Sequence, residues 1–219
     1  MMNFTYCPVH SGITEAEVEQ FLAEVRSVPD EHWHFDEFRN CQMLAFYNQQ
    51  DGIGEYKLEF VGDKEFSSAA IQYCPNLIAY IRKHVMSWMK PHGRVTVLRT
   101  PPQTMMAEHI DCSPKEVGTI QHKWRLVLHG EIDGLYFINE KMEHVHVDPT
   151  QRCYVLDGGH PHCIDPSSVE KITVCIGSPW LDQTDDPVYA EQLMLDKALY
   201  LDKPTIRPEW VRKNIRKKD

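Results

Sequence analysis

Arg94-Val95-Thr96-Val97-Leu98-Arg99, a break at Pro101-Pro102, and then Met105-Met106-Ala107-Glu108-His109-Ile110-Asp111 form the stretch that decides the fold. Two short runs that suit extended backbone are separated by prolines, which suit turns and break regular elements. The same texture continues downstream. Lys123–Leu128, Gly134–Asn139, His144–Val147, Arg152–Leu156, a short run at Cys163 and Lys171–Ile176 follow, punctuated by Gly, Pro and Asp. Short strands at even spacing predict an all-β sandwich or barrel. Eight such runs match a cupin-like jelly roll, the double-stranded β-helix. The expected fold class is mainly β with flanking helices.

Working outward, residues 3–9 read as a short strand. Thr14 and Glu17 fit a capping box, and Val18, Phe21, Leu22 and Val25 follow at helical spacing, so a helix is expected to end near Ser27. Met43–Asn48 and Glu55–Val61 read as strands about a loop. Ser67–Lys90 reads as helical with an interruption at Pro75, its apolar face packed on the outside of a sheet. Asp186–Leu201 and Arg207–Lys217 read as closing helices, with Pro187 at a first helical position. Their Leu193, Leu195, Leu199 and Leu201 are expected to pack on the cup or to form a homodimer contact. One domain over 1–219 is expected: 1–93 bracing the core, 94–180 forming it, and 181–219 closing it.

The 219 residues suit one domain with additions. No apolar run approaches a membrane span, and the start Met1–Tyr6 has neither the basic nor the apolar region of a secretory signal. Seven scattered Cys without a Cys-x-x-Cys predict free thiols in a reducing cytoplasm and argue against a thiolate zinc site. The formal charge is −9, and because Arg207–Asp219 carries six basic and two acidic residues, the rest stands at −13. An acidic body argues against a nucleic-acid partner.

His109 and Asp111 are two residues apart, so in a strand they project to one face. An imidazole beside a carboxylate is two thirds of the 2-His-1-carboxylate arrangement that holds Fe(II) and leaves positions open. With 12 His in the chain, such a pair alone is weak. Leu156-Asp157-Gly158-Gly159-His160-Pro161-His162-Cys163-Ile164 offers the missing imidazole: a strand enters a Gly-Gly turn and leaves through two histidines, either of which can complete the triad. Lys171 then opens an apolar strand, where one cation can pair with a carboxylate entering the cup. His32 and His34, among acids and aromatics, read as packing residues. His144 and His146 share a strand face, but no cosubstrate anchor follows them at a useful distance.

The order of these parts resembles the Fe(II)- and 2-oxoglutarate-dependent oxygenases: His-x-Asp, about fifty residues of strands, His, then a basic residue about ten later. Within them, Trp124-Arg125-Leu126-Val127-Leu128-His129-Gly130, Tyr154 through His162, and Lys171 through Pro179-Trp180 resemble the aspartyl/asparaginyl β-hydroxylase family, which includes hydroxylases of free proline and other amino acids. The resemblance covers 94–180. It implies His109, Asp111 and His162 as metal ligands, since His162-Cys163-Ile164 fits the family's His-x-Val pattern and stands nine residues before Lys171, with His160 as the alternative third ligand. It implies Fe(II), 2-oxoglutarate and O2 as requirements, with succinate and CO2 as coproducts. Lys171 stands where the family usually has the Arg that grips the distal carboxylate of 2-oxoglutarate, and Arg125 is the other candidate anchor. The family's best-known members lack the carboxylate ligand. Asp111 therefore favours hydroxylation over halogenation, which needs that position free.

The implied substrate is a small molecule, an amino acid or something similar; a protein side chain is the variant. Trp124, Tyr136 and Phe137 are candidate cavity walls, although strand aromatics are more often plain core. A metal- or ligand-binding cupin without turnover is the competing class. A zinc hydrolase is weaker, because it gives no role to Lys171 or Arg125.

Overall fold

The structure, a computed structural model, describes residues 4–37, 39–47, 65–87, 94–111, 122–147, 151–177 and 187–211. The elements are β1 (Tyr6–Pro8), α1 (Glu15–Ser27), β2 (Trp33–Asp36), β3 (Cys41–Tyr47), α2 (Ser68–Tyr73), α3 (Pro75–His84), β4 (Val95–Thr100), β5 (Met106–His109), β6 (His122–His129), β7 (Leu135–Ile138), β8 (His144–His146), β9 (Cys153–Asp157), β10 (His162–Ile164), β11 (Lys171–Gly177) and α4 (Pro187–Gln192). A seven-stranded sheet runs β1-β9-β6-β11-β4-β3-β2 and faces a four-stranded sheet, β5-β10-β7-β8.

The last eight strands nest. β4 pairs antiparallel with β11, β5 with β10, β6 with β9 and β7 with β8. This is one long antiparallel ribbon wound on itself, which is the double-stranded β-helix. The eight runs expected from Arg94 onward correspond to β4–β11 in order.

Strand alternation divides the large sheet into two faces. Ile172, Val174 and Ile176 of β11, Val95 and Val97 of β4, and Trp124, Leu126 and Leu128 of β6 share one core with Phe21, Val25, Leu77 and Ile81 of the helices. The residues between them, Lys171, Thr173 and Cys175 of β11, Leu98 and Thr100 of β4, and Arg125 of β6, line a cleft on the opposite face. Helices therefore seal one side of the sheet, and the other side faces the small sheet.

The N-terminal third extends the large sheet at both edges, β1 against β9 and β3 against β4. Its helices begin as the sequence dictates. Thr14 and Glu17 exchange both capping-box bonds, at 3.2 and 2.8 Å, and Pro75 opens α3 at its first turn. The expected helix to Lys90 stops at His84 among the described residues, and the expected strand Glu55–Val61 lies outside them.

One expectation is corrected. The helix expected over Asp186–Leu201 ends at Gln192, and the chain then runs beside β1, bridging Val9 with Leu193 and Tyr6 with Leu199. Leu193, Leu195, Leu199 and Leu201 are spaced by even numbers. A 3-10 turn, Leu195–Lys197, separates the two bridges, so Leu193 and Leu195 join the core beneath the helices and Leu199 and Leu201 join the core around Val127 and Phe137. All four leucines pack on the cup. The helix expected over Arg207–Lys217 is a single 3-10 turn, Pro208–Trp210, as far as the described residues reach.

His122 carries a pH dependence. It is buried at the start of β6, and its ring stacks on Phe4 with centroids 4.3 Å apart and planes 6° from parallel. Burial pushes its pKa down to about 4, against the pull of Asp157. The folded imidazole is neutral, whereas the unfolded chain takes up a proton near pH 6.5. Between pH 6.5 and 4 the unfolded state binds more protons, so stability falls as pH falls, on the order of 3 kcal/mol across that window. His122→Phe keeps the stack and removes this titration. Denaturant midpoints of the metal-free protein at about pH 7 and about pH 4.5 are expected to lie closer together in the variant. Equal separation in both proteins would show that His122 does not drive the slope.

Candidate metal and cosubstrate site

His109 closes β5 and His162 opens β10, and the two are direct partners across the strand pair. Cross-strand partners lie close enough for side chains to meet. Their ring centroids are 4.5 Å apart. Asp111 lies just past β5, held by a bond from its backbone N–H to the carbonyl of Gly158 at 2.6 Å. Its carboxylate is 3.6 Å from His109 Nε2 and 3.9 Å from His162 Nε2. One donor atom from each of the three residues falls within a 4.8 Å cluster.

Backbone carbonyls orient both imidazoles. His109 Nδ1 lies 2.7 Å from the carbonyl of Ala107, and His162 Nδ1 lies 2.8 Å from that of His160. A carbonyl only accepts, so each Nδ1 carries a proton and each Nε2 is the nitrogen turned toward the carboxylate. This is the tautomer a metal needs, fixed by its outer partner. Burial first, and the neighbouring His109 second, push the His162 pKa down to about 3, so that ring is neutral over the working range.

Asp111 sits between two guanidinium groups. Arg39 donates to Oδ1 at 2.6 Å and Arg125 to Oδ2 at 2.5 Å. Burial alone raises a carboxyl pKa, but Arg39, His109 and Arg125 outweigh it and hold Asp111 well below the usual range. The group is a permanent carboxylate, and its two oxygens offer about four lone pairs, so lone pairs remain for a cation. Two imidazoles and one ionised carboxylate converging on a point fit a divalent first-row metal.

His160 takes no part in the cluster. Its Nε2 donates to the carbonyl of Ile138 at 2.8 Å, and its ring meets Phe137 edge-on at 5.5 Å. The turn points it into the small sheet and presents its carbonyl to His162. Lys171 opens β11 and is buried in the same cleft as the cluster, beside Thr100, Ser167 and Thr173. Burial lowers its pKa, against the pull of Asp133 and Glu131. Arg125 lines the cleft too, but its guanidinium is engaged by Asp111 and by the Trp124 carbonyl at 3.1 Å. The cleft holds about 600 Å³, part of it open to solvent.

The aromatic wall differs from expectation. Trp124 belongs to the helix-side core and Phe137 to the core between the sheets, while Tyr136 sits between His144 and His146. Arg125 points into the cleft, so its neighbour Trp124 points away. Tyr154 and Leu156 of β9 supply the wall instead. His144 bonds Glu108 at 3.0 Å and His146 lies 3.9 Å from Asp165, so these histidines pair with different acids. Glu108 also accepts from Trp210 Nε1 at 2.9 Å, and Ile110 N–H bonds the Trp210 carbonyl at 3.0 Å, which straps the C-terminal segment to β5 beside the cluster. Arg39 was missed in the sequence. Its pairing with Asp36, at 3.0 Å, is indistinguishable there from a surface ion pair.

No family model matches the chain, and no curated protein matches it. Solved structures do. HygX from Streptomyces hygroscopicus, with nickel and 2-oxoglutarate bound, superposes with a TM-score of 0.54 at 9% identity, over 92% of this chain and 93% of that one. A prolyl hydroxylase from Trichoplax adhaerens, in complex with a hypoxia inducible factor oxygen degradation domain peptide fragment, gives 0.51 at 13% identity, over 79% of this chain and 82% of that one. The likeness is one of fold. The narrower likeness to aspartyl/asparaginyl hydroxylases rests on sequence motifs alone.

Proposed function

We propose that the protein is an Fe(II)- and 2-oxoglutarate-dependent oxygenase that hydroxylates an unactivated C–H of a free amino acid or similar small molecule. Substrate, O2 and 2-oxoglutarate give hydroxylated product, succinate and CO2. The observation that carries this reading is the convergence of His109 Nε2, His162 Nε2 and the Asp111 carboxylate, both imidazole tautomers set by carbonyls, in one cleft with Lys171. His109, Asp111 and His162 would hold the iron, which with 2-oxoglutarate supplies the activation of O2. Lys171 would take the distal carboxylate of the cosubstrate, and Arg125 would keep Asp111 ionised and aimed. Tyr154, Leu156 and Ile164 keep water from the reacting carbon. In this reading the chain works as one unit, in a reducing cytoplasm. No helix among the described residues is long and apolar enough to cross a membrane.

The same chemistry on a protein side chain is the second reading. It is favoured by the fold shared with the Trichoplax enzyme in its peptide complex.

The deciding experiment is an anaerobic titration of metal-free protein with Fe(II) and then 2-oxoglutarate, followed by visible absorbance. A weak charge-transfer band of the chelated keto acid is expected. Iron binding with no response to 2-oxoglutarate would defeat the oxygenase reading and favour a binding cupin. Given a band, succinate release with free amino acids, compared with peptides, separates the two substrate classes.

A further inference from the structure

The C-terminal segment crosses both parts of the chain that carry the metal donors. Leu199 is fixed to the first strand: Thr5 N–H donates to its carbonyl at 2.8 Å, and its own N–H donates to the Tyr6 carbonyl at 2.8 Å. Further on, Lys203 Nζ lies 2.8 Å from Asp157 Oδ2. Trp210, only 2% exposed, then reaches β5. Its indole Nε1 donates to Glu108 Oε2 at 2.9 Å, and its carbonyl accepts from the Ile110 N–H at 3.0 Å.

β5 needs such a hold. It is the edge of the small sheet, and its pairing with β10 slips in register between His162 and Ile164. An edge strand leaves one row of backbone groups without a partner in its own sheet. Past the end of β5, the Ile110 N–H goes to the Trp210 carbonyl and the Asp111 N–H to the Gly158 carbonyl. The backbone that carries His109 and Asp111 is therefore held by the C-terminal segment through one residue and by the Gly158 turn through the next.

The same segment holds that turn. Asp157 Oδ1 accepts from the Gly159 N–H at 2.9 Å, and the Asp157 carbonyl accepts from the His160 N–H at 3.0 Å. The His160 carbonyl in turn orients the His162 imidazole. Lys203 binds the other oxygen of the Asp157 carboxylate, whose side chain is buried. One short piece of chain thus reaches both donor arms, 108–111 through Trp210 and 157–162 through Lys203. The three donor atoms lie within 4.8 Å of one another, so a shift of one arm against the other changes the site.

We infer that residues 199–210 form a clamp whose seating sets the spacing of the metal donors, with Lys203 and Trp210 as its positioning residues. The clamp rests on the metal ligation proposed above, but not on turnover. Coupling between two binding events is reciprocal. The seated clamp tightens the hold on metal, and bound metal tightens the clamp by the same factor.

The test reads the Mn(II) affinity of metal-free protein from the loss of the free-ion paramagnetic resonance signal. Trp210→Phe keeps a ring in place and loses the bond to Glu108. Lys203→Met loses the contact with Asp157. Each is expected to weaken Mn(II) binding about tenfold, as removal of an outer partner of a metal ligand does. Taking away a cation by itself favours a bound metal ion, so a loss of affinity in Lys203→Met reports position and not charge. Lys203→Arg keeps the pair and is expected to restore most of the affinity. Leu77→Ala loosens the helix-side core, and is expected to lower the denaturant midpoint while leaving Mn(II) affinity unchanged. In the wild type, saturating Mn(II) is expected to slow hydrogen exchange of residues 199–211, and to slow it less in Lys203→Met. Unchanged affinity in both clamp variants, equal loss in Leu77→Ala, or exchange of 199–211 indifferent to Mn(II) in the wild type would each overturn the clamp and leave the oxygenase reading standing. Failure of the wild type to bind Mn(II) would defeat both. If the clamp variants weaken Mn(II) binding but no keto-acid band forms in the wild type, the clamp stands and the oxygenase reading falls.

Discussion

His162→Ala is expected to abolish iron retention and to cut succinate release from 2-oxoglutarate by about a thousandfold or more. Losing an outer partner of a metal ligand already costs about 10–100-fold. Losing the ligand leaves one imidazole and one carboxylate, the latter already shared by Arg39 and Arg125. The fold should survive, because among the described residues the carboxylate that His162 faces is Asp111, beside β5 in the same small sheet, and its neighbour Phe137 stays packed in its own cluster. Asp111→Ala is the less informative variant. It takes a carboxylate from two guanidinium groups whose side chains are only 11% exposed, leaving Arg39 with Asp36 and Arg125 with the Trp124 carbonyl, and breaking buried pairs costs up to about 3–5 kcal/mol. Inactivity there would mix a lost ligand with a loosened site. The measurement is iron content after dialysis together with succinate release, with circular dichroism as the check on folding. His160→Ala is the paired control and is expected to keep its iron. Iron retained in His162→Ala but lost in His160→Ala would reverse the assignment of the third ligand.

Lys171→Met is expected to raise the 2-oxoglutarate concentration needed for half-maximal turnover about a hundredfold. Removing one partner of a buried charge pair costs about 3 kcal/mol, which corresponds to that factor. Met preserves the stem, so Thr100 and Thr173 keep their neighbour. The ammonium is buried where its pKa is already pulled down, so a carboxylate arriving beside it restores the favoured charged form. Arg125→Met should behave differently. Its loss removes a partner of Asp111, so iron affinity falls along with turnover, whatever the 2-oxoglutarate concentration. If Lys171→Met leaves the 2-oxoglutarate dependence unchanged and Arg125→Met alone shifts it, with iron still bound, then Arg125 is the anchor. Isothermal titration of 2-oxoglutarate into the Mn(II)-loaded variants reads the same distinction without turnover.

The β-helix was legible because its eight strands are short and punctuated by Gly, Pro and Asp, which are local signals. The capping box of α1 and the proline at the head of α3 were legible for the same reason: each acts within a few residues. His109 and Asp111 were visible as a pair because their two-residue spacing is a local constraint. The choice between His160 and His162 was not local. It depends on strand register, which sets His162 opposite His109 and turns His160 toward the Ile138 carbonyl.

Arg39 marks the limit most clearly. It reaches Asp111 across 72 positions of sequence, and nothing near it in the chain distinguishes it from a surface arginine. The C-terminal leucines show the converse. Their spacing was in the sequence all along, and the core that each one joins is decided only where β1 receives Leu193 and Leu199. The sequence by itself determined the strands, the helix caps and the donor types, because these follow from periodicity and from side-chain chemistry. Tertiary structure alone decided which donors converge and which arginines hold the carboxylate, because those depend on pairing between strands far apart in the chain.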